Sequence, residues 1–336
     1  MKKTSYWLLK VMIAGFAAFL CTSAFCYFYY NLPAHEPSQS GATDDTWSAF
    51  HFSARGTEGF AYTTTDENGY VNTFPHKKDT VDILLMGSSH TEGFNVNADQ
   101  SYAYLLNQKL YDNNSDMYAY NIGMSGHDIG RNLNNLENAL QAFKPSRYVV
   151  IETHKANIPL PLMEQLLNNT YEPTSSTHAG IAYHLQKLDF LRLLYAQISN
   201  MGSNEKQKSS ADMPENEAVS EYYTACLDQV LQRSSEIVQM YGCKLVILYS
   251  PTLSIDYSGN LMPEVISEEL ALLADTCEKY GIVFLNAGST YEQMYRNTHQ
   301  LPHGFVNTAV GTGHLNKYGH RCIADLLFDY VMKEES

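Results

Sequence analysis

Short apolar runs alternate with amphipathic segments from about residue 80 to the end of the chain. The apolar runs predict five strands, at 82–86, 118–122, 148–152, 244–250 and 282–286. The first of them is continuously apolar from Ile83 to Met86, which is typical of a strand that is covered on both faces. Helical periodicity separates them, at about 99–111, 129–143, 180–199, 218–240, 263–280 and 317–333. This order predicts an α/β fold with a doubly wound, mostly parallel five-stranded sheet flanked by helices.

A longer apolar run stands at the start of the chain. Residues 11–30 carry no charge, and three lysines lie within residues 1–10. A helix of that length covers about 30 Å, the thickness of a bilayer core. We interpret the run as a single-pass transmembrane anchor, with a basic cytoplasmic tail before it and the remaining chain outside the cytoplasm. The alternative is a cleaved signal peptide, although no clear small-x-small cleavage site follows the run.

Between the anchor and the main domain lies a segment of mixed character. Residues 31–79 begin rich in Pro, Ser, Gly and Asp, which predicts a tether, and continue with strand-like pieces that predict a small β appendage. The turn residues 66–69 are the predicted hairpin tip. The main domain is predicted to span 80–336, with a mobile polar insertion at 201–217.

Charge and cysteine content narrow the class of protein. The formal net charge is −14, so phosphate backbones would be repelled and no nucleic-acid partner is expected. Four of the six cysteines lie outside the apolar run, widely spaced and without a Cys-x-x-Cys pattern. They are interpreted as buried small apolar residues, with a single disulfide as the open alternative. Nothing in the sequence requires a cofactor.

The first strand of the main domain ends at a hydroxyl-rich turn. Residues 82–86 run into Gly87-Ser88-Ser89, and a serine at such a strand-to-helix elbow is held out of the core. Ser89 is the candidate nucleophile, and Ser88 is the weaker candidate because it occupies the second position of the turn. His314 lies 314 − 89 = 225 residues downstream, just before the last predicted helix. A neutral imidazole can accept the proton of a serine hydroxyl. A plain turn serine and a helix-capping histidine are the structural alternatives.

Polar loops also follow the second and third predicted strands. Because the carboxyl ends of parallel strands meet at one sheet edge, these loops should join the elbow there. Three histidines at strand ends raise the alternative of a metal site: His90, His127 and His154. Their spacing matches no ligand pattern, so no metal is expected. His320, within the last predicted helix, is interpreted as structural.

These loops resemble the conserved blocks of one enzyme family. Residues 87–93, Gly-Ser-Ser-His-Thr-Glu-Gly, resemble the first block of the SGNH (GDSL-type) hydrolases, with a serine in place of the family's acidic second residue. Residues 121–126, Asn-Ile-Gly-Met-Ser-Gly, are similar to the second block. Residues 314–319 resemble the last block, which holds the catalytic histidine. The resemblance covers about residues 80 to 333.

The chain departs from the family pattern at two positions. The third block normally reads Gly-x-Asn-Asp, whereas Asn157 is one residue out of register here. The triad aspartate normally lies three residues before the histidine, and that position is Gly311. The resemblance therefore implies a Ser–His dyad, or a triad completed by an acid from elsewhere, for which Glu152 and Asp128 are the candidates.

The resemblance implies acyl-transfer chemistry through an acyl-enzyme on Ser89, with His314 as the base. The implied oxyanion-hole residues are Ser89, Gly126 and Asn157. Ester substrates are implied, often O-acetyl groups of glycans, so we expect a membrane-anchored serine esterase or O-acyltransferase of the cell envelope. Its partners would be an acylated glycan or another small ester and, for transfer, a multipass membrane protein that donates the acyl group. The alternative function is a non-catalytic envelope or glycan-binding module on the same fold.

Overall fold

The structure is a computed structural model that describes residues 2–30, 53–55, 61–93, 95–170, 221–256, 258–262, 266–305 and 310–334. Its contacts divide the chain into two compact units. The first contains residues 1–35 and 174–215, and the second contains 36–173 and 216–336. The predicted helix at 180–199, the insertion at 201–217 and the first part of the tether lie outside the described residues.

The described part of the first unit is one helix. Helix α1 spans Lys2–Tyr30. Within it, Tyr6–Phe25 forms a window of 20 residues with a mean hydropathy of 1.9 and no buried residue. By length and composition this helix can cross a membrane or act as a signal sequence. Its topology stays a prediction.

The second unit opens with a small two-stranded sheet. Strand β1 (Ser53–Arg55) pairs antiparallel with β2 (Tyr62–Thr64). Residues 66–69 form a turn in which Gly69 N–H donates to the Asp66 carbonyl over 3.0 Å. The predicted hairpin tip is therefore wrong in position, because this turn follows β2 instead of joining the paired strands.

The chain after that turn belongs to the core of the main sheet. The Tyr120 hydroxyl donates to Asp66 Oδ2 over 2.7 Å. Tyr70 is 6% exposed and lies edge-on to the rings of Tyr120 and Phe143. Apolar packing thus fastens this segment to the side of the sheet.

The predicted five-stranded sheet is confirmed. Its strands are β3 (Ile83–Met86), β4 (Ala119–Asn121), β5 (Tyr148–Thr153), β6 (Lys244–Tyr249) and β7 (Val283–Asn286). They are all parallel, in the order β4-β3-β5-β6-β7. The chain leaves β3 toward one side and returns on the other, so the topological switch point lies between β3 and β5. Ligand sites of open α/β sheets form in the crevice beyond the carboxyl ends of such strands.

Nine helices of the second unit are described besides short turns. They are α2 (Ser89–Glu92), α3 (Tyr102–Asp112), α4 (Ile129–Asn134), α5 (Leu136–Phe143), α6 (Leu160–Asn168), α7 (Glu221–Met240), α8 (Glu268–Lys279), α9 (Gly288–Thr298) and α10 (Lys317–Glu334). The predicted helix 129–143 is interrupted at Asn135, whose backbone lies in the bridge region at φ −87° and ψ 1°. Helices α2, α6 and α9 were not predicted.

Apolar clusters cover both faces of the sheet. Leu84 and Ile151 belong to one cluster, and Ile83 and Val150 belong to the other. Successive strand residues point to opposite faces, so the coverage of both faces explains why apolar residues predominate on both sides of the strands. Burying a leucine or isoleucine side chain contributes about 2 kcal/mol, which makes this strand pair a rigid base for the loops above it. The cysteines outside the apolar run are buried and free, as interpreted from the sequence: Cys226, Cys243, Cys277 and Cys322.

Candidate active site

The elbow after β3 is built around a glycine and a capping serine. A Cβ on Gly87 would lie 2.0 Å from Thr91 Oγ1 and 2.9 Å from Glu152 Cβ, so only glycine fits there. Ser88 is the N-cap of α2, and its Oγ accepts the His90 N–H over 3.3 Å. Ser89 is the first residue of α2 and is half-buried. The elbow predicted from the sequence is therefore present, and it turns into a helix at once.

Ser88 and Ser89 have different environments. Ser88 is 6% exposed, and both its backbone N–H and its hydroxyl donate to Glu152 Oε2, over 3.2 and 2.9 Å. A hydroxyl that is buried and bound to a carboxylate in this way serves the structure of the turn. Ser89 carries the more accessible hydroxyl of the pair.

Glu152 organises the switch point. It is 1% exposed, and β5 places it beside the elbow. Its Oε2 also accepts from Thr91 Oγ1 over 3.2 Å, and its Oε1 lies 3.2 Å from His90 Nδ1. Burial by itself raises the pKa of this carboxyl, but the hydrogen bonds from His90 and Ser88 and the charge of His90 lower it to about 2. Glu152 is therefore ionised inside the fold.

The two acids considered for the missing triad aspartate have other roles. The hydrogen bonds of Glu152 go to the elbow and to His90, not to His314. Asp128 caps α4, where its Oδ1 accepts the Arg131 N–H over 2.8 Å. Neither assignment is supported by these contacts.

Glu92 is the carboxylate that interacts electrostatically with His314. Burial raises the pKa of Glu92 to about 7, and this rise is opposed by hydrogen bonds from Ser125 and by the charge of His314. Ser125 donates to Glu92 Oε2 through its backbone N–H, over 2.9 Å, and through its hydroxyl. The sequence contained the residue, at the end of the first family-like block, but gave no sign of this role.

Four histidine rings gather next to the elbow. The ring centroid of His90 lies 5.3 Å from that of His154, 5.6 Å from that of His303 and 6.0 Å from that of His314. The Gly304 N–H donates to the His314 carbonyl over 2.9 Å, which ties the two C-terminal histidine segments together. The structure thus brings His314 beside His90, the residue that follows Ser89, across 224 positions of sequence.

No pattern in the sequence singled out His303. It is 1% exposed, and burial together with the charge of His90 lowers its pKa to about 3. Neither of its ring nitrogens has a hydrogen-bond partner among the described residues. His320 is equally buried, but its Nδ1 accepts the Tyr102 N–H over 3.2 Å, in line with a structural role.

The loop after β4 packs against the elbow at Gly123, whereas Gly126 is the glycine selected from the sequence. A Cβ on Gly123 would lie 2.4 Å from Thr91 Cβ and 2.6 Å from the Glu92 backbone nitrogen. The Gly123 N–H is bound to Asn121 Oδ1 over 2.8 Å. Gly126 has φ +85°, is exposed and has open space where a Cβ would be. Gly123 is therefore the close-packing glycine, and an oxyanion role for Gly126 stays a prediction.

Asn157 lies in the loop between β5 and α6. It is half-buried, and its Oδ1 accepts from the Tyr223 hydroxyl over 3.1 Å. That bond fixes the orientation of the amide. Its role as an oxyanion donor also stays a prediction.

A cavity of about 420 Å³ is lined partly by residues that neighbour His303 and His314 in the sequence. Its lining includes Gly304, Phe305, Val310 and Asn316, as well as residues 95–97 beyond α2. It offers mixed apolar and amide surface. A small organic group fits a cavity of this size.

Among the described residues, one group of side chains has donors suited to a metal ion. Donor atoms of His90, Glu152 and His154 all lie within 4.8 Å of one another. His127, the third histidine considered from the sequence, is not in the group. The fold therefore brings together ligands whose spacing along the chain gave no pattern.

Comparison with known proteins finds similarity only at the level of solved structures. No protein-family model and no curated protein matches the chain. The LAE5 α/β hydrolase enzyme from the Lake Arreo metagenome is 15% identical over 74% of this chain and 94% of its own, with a TM-score of 0.40. A GDSL-like lipase from Parabacteroides merdae is 16% identical over 77% and 98%, with a TM-score of 0.41. The acetyl xylan esterase AlAXEase is 13% identical over 75% and 100%, with a TM-score of 0.40. The function is therefore argued from the site.

Proposed function

We propose that this chain is a serine-dependent ester hydrolase or O-acyltransferase in which Ser89 is the nucleophile and His314 is the base. One observation carries the proposal. A half-buried serine begins a helix at the switch point of a parallel sheet, and the ring of a distant histidine lies 6.0 Å from the ring of the next residue. This is the edge at which open α/β sheets form their working sites.

The chemistry follows from acyl transfer. Ser89 Oγ attacks the acyl carbonyl carbon while its proton passes to His314, and the carbonyl oxygen takes the negative charge. The backbone N–H of Ser89 and Gly126 and the amide of Asn157 are the proposed donors to that oxyanion, where one donor is worth about 3 kcal/mol. His314 then protonates the leaving alcohol, which leaves the acyl group on Ser89. Water or a sugar hydroxyl, deprotonated by the same imidazole, releases the acyl group and regenerates the serine.

The contacts of the elbow favour Ser89 over Ser88. The Ser88 hydroxyl already donates to ionised Glu152 and accepts from His90, so its use as a nucleophile would dismantle the turn. Glu92 is the proposed acidic partner of His314, and because burial raises its pKa to about 7 it is charged in only part of the molecules at neutral pH.

The proposed substrates are acyl esters of envelope glycans, O-acetyl esters first among them, or other small esters. The cavity of about 420 Å³ has room for a sugar, but neither Ser89 nor His314 lines it, so we propose it only as the site for the glycan part of the substrate. Helix α1 would anchor the chain as a single-pass membrane protein with this domain outside the cytoplasm. For transfer, a multipass membrane partner would supply the acyl group.

Labelling with a fluorophosphonate probe tests the nucleophile. The folded wild-type chain should form a covalent adduct on Ser89, Ser89→Ala should lose it, and His314→Ala should slow it by 10²-fold or more. Ser115→Ala is the matched control and should label like wild type. Ser115 precedes β4, at the amino end of the strand and away from the proposed site at the carboxyl ends. Folded wild-type protein that does not label would contradict the proposal and favour a glycan-binding module.

A second experiment separates hydrolysis from transfer. The chain is supplied with an acetylated donor and a glycan acceptor, and the products are identified by mass. Formation of acetylated acceptor by the wild-type chain, and its absence with Ser89→Ala, would support transfer. Free acid as the sole product at saturating acceptor identifies a hydrolase and rejects the transfer arm.

A further inference from the structure

The histidine cluster beside the elbow contains more nitrogen ligands than a serine mechanism uses. That mechanism requires His314 as its base, whereas His90, His154 and His303 have no assigned part in it. We propose that His90, Glu152 and His154 form a binding site for a divalent first-row transition metal, Zn²⁺ above all, with His303 as the neighbouring fourth donor.

The three proposed ligands lie close enough together to bind one ion. Donor atoms of the three proposed ligands lie within 4.8 Å of one another. With Zn–N and Zn–O bonds near 2.1 Å, two ligands of a tetrahedral ion are about 3.4 Å apart. Each donor therefore has to move by about 1 Å or less to close on one ion, which a side-chain rotation supplies.

Within the part of the chain that the structure describes, His303 lacks the side-chain hydrogen bonds that a buried histidine normally makes. Its side chain is 1% exposed, and both ring nitrogens lack a hydrogen-bond partner among the described residues. Leaving a buried polar group unsatisfied costs about 1 to 3 kcal/mol, so buried imidazoles are normally paired. Its ring centroid lies 5.6 Å from that of His90, and two imidazoles on one zinc ion have centroids about 5 Å apart. A metal ion next to His90 would give one of these two nitrogens a partner.

The surroundings of the site suit a metal. Ser88 and Thr91 donate to Glu152 Oε2, so the carboxylate is held in place by a second layer of hydrogen bonds. The ligands stand at the ends of the paired strands β3 and β5, whose side chains are fully packed. His154 is exposed, which gives an ion a route in from solvent.

The ligand chemistry selects the ion. Two or three imidazoles with one carboxylate suit Zn²⁺ and its first-row neighbours, whereas Mg²⁺ and Ca²⁺ take oxygen ligands. The proposal does not rest on the chemistry of Ser89, so the two can fail separately.

The test uses the full-length chain in detergent, purified without a histidine tag and stripped with a chelator. Zn²⁺ is titrated in competition with a chromophoric chelator. One ion per chain is expected, and His154→Ala should weaken binding by about 100-fold or more, because loss of outer-layer contacts alone costs 10- to 100-fold. His76→Ala is the matched control: His76 is an exposed histidine outside the cluster, stacked on Tyr111, and its removal should leave binding unchanged.

Two further measurements keep the outcome clear. His303→Gln should weaken binding about 10-fold or more while the chain still unfolds cooperatively, and Mg²⁺ should not compete. Absence of binding at one ion per chain, or binding that is unchanged in both His154→Ala and His303→Gln, would overturn the proposal. Fluorophosphonate labelling of the same stripped preparation reports on Ser89 alone.

Discussion

The buried carboxylate of Glu152 makes the stability of this fold depend on pH, and the change Glu152→Gln tests that dependence. In the fold its pKa is about 2, against an ordinary value of 4.5. One pKa unit corresponds to about 1.4 kcal/mol, so the ionised side chain contributes about 3 kcal/mol to the free energy of unfolding near neutral pH. Because the folded pKa is the lower one, this contribution is present above about pH 4.5 and is lost as the pH falls toward 2.

Glutamine keeps the size of the side chain and removes its charge. One amide oxygen replaces the acceptor that Ser88 and Thr91 share, while the amide N–H₂ faces His90 Nδ1. We expect Glu152→Gln to lower the free energy of unfolding by about 3 kcal/mol at pH 7 and by about 2 kcal/mol at pH 3.5. The loss of unfolding free energy should be larger at pH 7 than at pH 3.5, and only a carboxylate that titrates can cause that difference.

The measurement is urea unfolding of the full-length chain in detergent, followed by near-ultraviolet circular dichroism between pH 3.5 and 7. Glu137→Gln is the matched control, because Glu137 is exposed on α5, and it should change stability by less than about 0.5 kcal/mol. If wild type and Glu152→Gln differ by less than about 1 kcal/mol throughout this range, the carboxylate does not hold the elbow as argued.

Two further predictions concern packing. Gly123→Ala should destabilise the second unit by about 3 kcal/mol, because the new Cβ would lie 2.6 Å from the backbone nitrogen of Glu92. Gly126→Ala places its Cβ in open space and should cost only about 1 kcal/mol, because of the positive φ of Gly126. Equal losses of stability in chemical unfolding would refute this difference in packing. Burial raises the pKa of the Cys277 thiol to about 12. This thiol should therefore not react with a disulfide reagent at neutral pH until the chain is unfolded in urea. Rapid reaction of Cys277 in the native chain would contradict its burial.

Much of the architecture follows from local pattern. The apolar runs mark the five strands of the main sheet to within one or two residues, because strands covered on both faces are mainly apolar on both. The helix at 129–143 was only partly predictable. Its apolar spacing is continuous, but the backbone leaves the helix at Asn135, and no residue there is a strong breaker. Helix α2 is four residues long, too short for periodicity to reveal it.

The site was predictable to a smaller extent. Ser89 and His314 were singled out because each stands at a strand or helix end, and the fold brings their surroundings together. Gly126 was selected for its match to the second family block, whereas the close packing of Gly123 on Thr91 depends on a three-dimensional contact that the sequence does not show. Glu152 was considered as a partner of His314, and the structure gives it to His90 and Ser88 instead.

The sequence by itself determined the strand and helix order, the parallel sheet and the elbow at Ser89, since these depend on side-chain period and turn residues close along the chain. Only the tertiary structure decided what surrounds that elbow. The bond between Ser88 and Glu152 joins residues 64 positions apart, and His303 comes from the segment between α9 and α10. Such contacts form where strand order brings loop ends together, and strand order depends on how whole helices pack on the two faces of the sheet.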